Sequence, residues 1–156
     1  MRTRLGLAVP FLLASALGAC DEGTPAIVVE KPALRRTPGE VAAVYFTVAN
    51  RGDGADRLVA VAVAEDLADR IEMHETVVED GVARMLERPE GYRIPPRGTV
   101  ALQEGGRHLM VFGLREEVAS EGGLDLELTF ERTGKVSIRV PVGDEAEGEG
   151  SCCLEK

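Results

Sequence analysis

The feature that most restricts what this chain can become is a side-chain alternation of period two. Leu124, Leu126, Leu128 and Phe130 alternate with Asp125, Glu127 and Thr129. Val44, Phe46 and Val48 repeat the pattern, as do Val136, Ile138 and Val140. Successive side chains of a strand leave opposite faces, so each run has one apolar face to bury and one to solvate. Strands are expected at 26–30, 40–50, 57–64, 70–75, 82–87, 99–103, 107–113, 124–131 and 135–142. Turn residues separate them, among them Asp80-Gly81, Pro95-Pro96-Arg97-Gly98, Gly105-Gly106 and Thr133-Gly134. No stretch longer than two turns carries a 3.6-residue period, and 65–69 has room for one helical turn. Many short strands at close spacing predict an all-β protein, an antiparallel sandwich or barrel. With no Trp and 4% aromatic residues, its core must be built from Val, Leu, Ile and Ala.

The first residues carry an address rather than a fold. Arg2 and Arg4 precede an apolar run from Leu5 to Leu17, which is shorter than the roughly 18 residues of a spanning helix and suits a signal-peptide core. It ends in Leu17-Gly18-Ala19-Cys20, and small residues before a cysteine resemble the bacterial lipobox. The resemblance implies cleavage after residue 19 and lipid on Cys20, anchoring the chain to a membrane of the bacterial periplasm or cell envelope. The expected organisation is a signal peptide (1–19), a lipidated tether (20–25), one domain (26–142) and an acidic tail (143–156) without an apolar pattern.

Charge narrows the partners. The chain has 18 basic and 27 acidic residues, a formal charge of -9 over 156 residues. Nucleic acid requires clustered Lys and Arg, so it is not an expected partner. An acidic protein in an oxidising compartment can attract cations or a basic protein.

The chemistry-bearing residues are few and grouped. Apart from Met1, the chain has two His and three Met: Met73, His74, Met85, His108 and Met110. His108 and Met110 lie two apart on an expected strand and share a face. The Asp80-Gly81 turn allows a hairpin to return Met85 beside His74. Any one of these would ordinarily be core filler or a surface residue. As a set they point to metal. Thioether is soft and neutral and imidazole is borderline, a combination that suits Cu(I) better than Zn²⁺, Mg²⁺ or Ca²⁺. No H-E-x-x-H, G-x-S-x-G, P-loop or dinucleotide fingerprint occurs, and both histidines belong to the metal group, so the chain is not expected to be an enzyme.

The order of these residues resembles a known family. Met73-His74-Glu75-Thr76, Asp80-Gly81-Val82 with Met85, Leu102, Gly105-Gly106 and His108-Leu109-Met110 are similar to the periplasmic copper chaperones of the PCu(A)C type. That family carries a His, a Met about eleven positions on, and a distant His-x-Met. Here ten residues separate His74 from Met85, and 22 separate Met85 from His108. Further agreement lies in Ala43-Val44-Tyr45-Phe46 with Asn50, in Asp56-Arg57-Leu58-Val59, and in Leu128-Thr129-Phe130-Glu131 with Gly134. The resemblance implies a cupredoxin-like, Greek-key antiparallel β-sandwich that holds Cu(I) at an exposed site. By position the ligands would be His74, Met85, His108 and Met110, with Met73 a possible addition. It also implies a monomeric carrier whose partner is a copper-accepting oxidase subunit, such as the CuA-bearing one, or another copper carrier. The chain departs from relatives with Met- and His-rich tails, since it ends in acids and Cys152-Cys153.

Two other readings use other residues. Adjacent cysteines have Cα atoms about 3.8 Å apart, too close for an unstrained internal disulfide. Cys152 and Cys153 are therefore candidates for further Cu(I) ligands, or for a thiol–disulfide reductant acting on a copper acceptor, although C-x-x-C is absent. The other alternative is a lipoprotein interaction module that uses the sandwich as a scaffold, with no metal. Glu72, Glu75 and Glu79 are placed to tune a copper site and equally suit a solvated surface.

Overall fold

The computed structural model describes residues 23–143 except 38, 117 and 119–121. The segment expected to be a signal peptide, Cys20, and the residues beyond Gly143 with Cys152 and Cys153 lie outside the described residues. The strands are β1 (Ile27–Arg36), β2 (Val41–Asn50), β3 (Asp56–Val63), β4 (Arg70–Glu79), β5 (Val82–Glu87), β6 (Tyr92–Ile94), β7 (Thr99–Leu102), β8 (Arg107–Phe112), β9 (Leu124–Phe130) and β10 (Gly134–Val140). They form a six-stranded sheet, β1-β2-β7-β8-β4-β5, and a four-stranded sheet, β10-β9-β3-β6. The pairings are antiparallel, apart from a single parallel contact of Leu102 with Arg107 and an isolated parallel bridge of Leu34 with Val142.

The alternating runs supply the core. Val44, Phe46 and Val48 of β2 and Leu109 and Val111 of β8 are buried against Leu124, Leu126, Leu128 and Phe130 of β9 and Leu58 of β3 in one hydrophobic cluster. At the expected density of about 25 cal/mol per Å² of apolar surface removed from water, this interleaving is the main favourable contribution to folding. Three strands differ from the sequence expectation, β4 by running four residues past Glu75 to Glu79. β1 does not stop at Glu30; its register shifts between Glu30 and Ala33, with Lys31 at φ 52°, and pairing resumes to Arg36. A bulge thus absorbs Lys31-Pro32, which read as a strand end. β6 was not expected, because three residues between turn signals are too few to show a period.

Three arrangements position the later site. First, β2 is shared lengthwise: β8 pairs with Val41–Val44 and β7 with Phe46–Ala49. The chain steps from β7 to β8 through Gln103–Gly106, with Gly105 at φ 73°. Second, β4 and β5 join through Asp80 (φ 52°) and Gly81 (φ 76°), both left-handed, which is the two-residue turn that Asp-Gly favours in hairpins. Third, the sandwich is asymmetric. The Leu34–Val142 bridge links the two sheets on the β1 side, whereas β5 is exposed along its whole length on the other.

The loops at one end are gathered by the buried Asn50. Its Nδ2 donates to the carbonyls of Gly54 (2.7 Å) and Pro95 (3.1 Å), and its Oδ1 accepts from the amides of Ala26 and Gly52 (3.0 Å each). Replacing it strands several buried polar groups, each costing about 1–3 kcal/mol. Asn50→Ala is therefore expected to destabilise the protein by more than about 2 kcal/mol in urea unfolding; a change within about 0.5 kcal/mol would remove Asn50 from this role.

Candidate metal centre

Strand register decides which side chains meet. In β4 and β8, His74 stands directly opposite His108, and Glu72 opposite Met110. In β4 and β5, Thr76 stands opposite Met85, and His74 opposite Glu87. Opposed residues share a face, as do residues two apart. His74, His108, Met110 and Met85 therefore all rise from the outer face of the six-stranded sheet. The two imidazole centroids lie 6.0 Å apart, and Tyr45 of β2 flanks His108 at 6.4 Å between ring centroids. Met85 is 53% exposed on the free edge strand, whereas His108 is buried at 4%.

Met73 goes the other way. It is opposite Leu109, 7% exposed, and part of the hydrophobic core beneath the sheet. The acids divide similarly. Glu72 lies beside His74. Glu75 is on the inner face, paired with Arg88 (2.8 Å) and Arg107 (3.2 Å), and Glu79 ends β4 at the hairpin turn. Of the three carboxylates considered for tuning the site, Glu72 is the one in contact with a histidine.

Both rings are held by one nitrogen. His108 Nδ1 lies 2.9 Å from the carbonyl oxygen of Gly106, which also accepts the Thr76 amide at 3.0 Å. The step between β7 and β8 thus supplies the acceptor that orients His108. His74 Nε2 lies 3.0 Å from a carboxylate oxygen of Glu72, whose other oxygen accepts from Arg70 Nε at 2.7 Å. The Arg70 hydrogen bond, then that of His74, holds the Glu72 carboxyl below its ordinary value, so it is ionised at neutral pH. The remaining nitrogen of His74, Nδ1, is buried with no hydrogen-bond partner among the described residues. A buried polar atom left unpaired is costly, and a lone pair in that state fits a cation.

Beneath the sheet, Tyr92 of β6 braces both histidines. Its hydroxyl donates to the carbonyl of His74 (2.6 Å) and lies 3.3 Å from that of His108. Burial, and secondarily the charge of Glu75, raises its phenol well above the ordinary value, so it remains a donor. Sequence reasoning missed Tyr92, because its strand carries no alternation; the only available signal was a lone aromatic residue in a chain with few. Gly106 was seen as a turn residue and as part of the family motif, without its carbonyl being recognised as the partner of His108.

No three His, Cys, Asp or Glu side chains among the described residues converge as a metal site. An ion on this face would have to draw on methionine sulfur. Tyr92→Phe should cost about 1–2 kcal/mol by urea unfolding, because the His74 carbonyl loses a buried donor; unchanged stability would show that the brace carries no energy.

Comparison with known proteins bears on the fold and the family. The family model described as "Putative lipoprotein LpqE-like" matches residues 27–142. A curated relative, "Putative lipoprotein Lxx21020" of Leifsonia xyli subsp. xyli, is 28% identical over 151 residues, covering 85% of this chain and 90% of the relative. Among solved structures, the copper-bound PCuAC domain from PmoF2 superposes with a TM-score of 0.59 at 24% identity, covering 74% of this chain and 91% of that one. The apo PCuAC domain from PmoF1 gives 0.58 at 26% identity, with the same coverage. Apo-DR1885 from Deinococcus radiodurans gives 0.55 at 25% identity, covering 96% of this chain and 99% of that one. The all-β sandwich is thus the cupredoxin-like fold of PCuAC domains, and the chain belongs to the LpqE-like lipoprotein family.

Proposed function

We propose that this protein is a lipid-anchored, extracytoplasmic Cu(I) chaperone that carries copper to a respiratory oxidase, with the CuA centre of cytochrome c oxidase as the destination. The observation that carries the reading is the outer sheet face, where His74 and His108 stand opposite each other with Met110 and Met85 beside them. Two imidazoles and two thioethers are neutral, soft-to-borderline donors, the set that favours Cu(I) over harder divalent ions. Thioethers also need no deprotonation and form no disulfides, which suits an oxidising compartment. Copper is cargo here: it is bound, carried and surrendered without chemical turnover.

The exposure of Met85 supports transfer rather than storage. Among the described residues, Met85 stands on the edge strand of its sheet. An acceptor's ligand can approach from that side and displace the Met85 thioether while the deeper histidines still hold the ion. The large exposed apolar residues Val78, Val82 and Leu86 lie on the same hairpin, a surface suited to transient docking.

The tether supports delivery at a membrane. β2 and β4 both run antiparallel to β8, so the Asn50 end of β2 and the hairpin tip at Glu79 point the same way. The chain enters at that end: Ile27 pairs with Asn50, and the Gly23 carbonyl accepts from Arg132 Nη2 at 2.6 Å. Cys20 is three residues before Gly23, a reach of about 10 Å. Lipid on Cys20 would therefore hold the hairpin tip toward the membrane surface, where an oxidase subunit presents its copper centre.

Cu(I) titration against a competing chelator, with X-ray absorption to count sulfur and nitrogen ligands, tests the reading. Met110→Leu and Met85→Leu keep the apolar volume, so stability should change by less than about 1.5 kcal/mol while Cu(I) affinity falls sharply. Met73→Leu, in the core, should bind like the parent. Parent-like affinity in both Met110→Leu and Met85→Leu would overturn the site. For the anchor, Cys20→Ser should move the protein to the soluble extracytoplasmic fraction or leave an uncleaved precursor; detergent-dependent extraction like that of the parent would rule out lipidation at Cys20.

A further inference from the structure

We infer that Glu72 is a positioning residue that makes Nδ1 of His74 the copper-binding nitrogen, while the Gly106 carbonyl makes Nε2 the binding nitrogen of His108. This rests on the copper reading and adds which atom of each ring binds, and what chooses it.

The argument is one of donors and acceptors. A backbone carbonyl and an ionised carboxylate can only accept. The 2.9 Å contact of His108 Nδ1 with Gly106 O therefore requires the proton on Nδ1, and the neutral ring keeps its lone pair on Nε2. The 3.0 Å contact of His74 Nε2 with Glu72 requires the proton on Nε2, which leaves the lone pair on Nδ1. A proton on His74 Nδ1 would instead be a buried donor without an acceptor, since that atom has no partner. The two histidines are thus set in opposite tautomers by partners of different origin, one a backbone group and one a side chain.

Glu72 can do this because of its place in the strand. It is two residues before His74, so both side chains leave the same face, and Arg70 occupies its other oxygen at 2.7 Å. Arg70 thereby fixes the carboxylate's orientation, and the carboxylate fixes the ring. A carboxylate on the distal ring N–H also makes the opposite nitrogen a stronger donor, and losing such a partner typically weakens metal binding by about 10- to 100-fold. Gly106 cannot be altered this way by substitution, because its acceptor is main chain. The side-chain half of the pair is the half that evolution or mutagenesis can tune.

The test is long-range ¹H–¹⁵N correlation spectroscopy of the full chain in detergent micelles, with labelled histidines, before and after Cu(I) addition. In the apo parent, His74 should show the Nε2–H tautomer and His108 the Nδ1–H tautomer. On Cu(I) addition, the resonances of His74 Nδ1 and His108 Nε2 should shift as ligands. Glu72→Leu removes the acceptor; His74 should lose its single tautomer and Cu(I) affinity should drop about 10- to 100-fold, while the His108 tautomer stays as in the parent. Glu72→Gln keeps an acceptor oxygen and should restore the His74 tautomer and most of the affinity. Binding through His74 Nε2 in the parent, or an unchanged His74 tautomer and affinity in Glu72→Leu, overturns this inference and leaves the copper reading standing. No ring shift on either histidine with Cu(I) overturns both.

Discussion

The site depends on a register: His74 of β4 opposite His108 of β8. Side chains alternate across a sheet, so a slip of one residue would send His74 into the core and bring Met73 out in its place. The register is held because the inner face has no tolerance for the alternative. Met73, Leu109 and Val111 are buried together with Val44 and Phe46, and a slip would put His74 or His108 among them. The hydrophobic core and the histidine-bearing outer face are two sides of one constraint, and burial energy on one side aligns His74 with His108 on the other.

Polar contacts then refine what burial aligns. Tyr92 reaches through from the second sheet to the carbonyls of both histidines, tying the register to the packing of the two layers. On the outer face, Glu72 and Gly106 each engage one ring nitrogen, and His74 Nδ1 is left without a hydrogen-bond partner among the described residues. The outer face is therefore ordered at its histidines and open at Met85, whose strand is exposed throughout. That gradient suits the carrier proposed above, which must hold an ion firmly at one side and yield it at the other.

The asymmetry of the sandwich places the loose side. The Leu34–Val142 bridge joins the sheets at the β1 edge, and the four-stranded sheet leaves β5 uncovered. Strand direction brings the hairpin tip to the end where the chain enters at Gly23. Topology thus brings the hairpin of the exposed Met85 and the segment at Gly23 toward one end of the sandwich, two features far apart in sequence.

Much of this was legible in the residues alone. Alternation marked β2, β9 and β10, Asp80-Gly81 marked the hairpin, and the grouping of His and Met between positions 73 and 110 marked the ligand candidates. Those signals are local: a period, a turn dipeptide, a scarce residue type. What the sequence could not carry is pairing between distant strands. Whether Met73 or His74 faces outward depends on what lies opposite, and only the β4–β8 register decides it. Likewise Glu72 and Glu75 look alike as acids flanking a histidine, yet one meets the His74 ring and the other meets Arg88 and Arg107 on the inner face. Tyr92 lies on a three-residue strand with no period to read, and its role exists only because the second sheet packs beneath both histidines. Local patterns follow from backbone geometry and are written in the chain; the choice of face and of partner follows from burial across the whole sandwich, which only the tertiary structure decides.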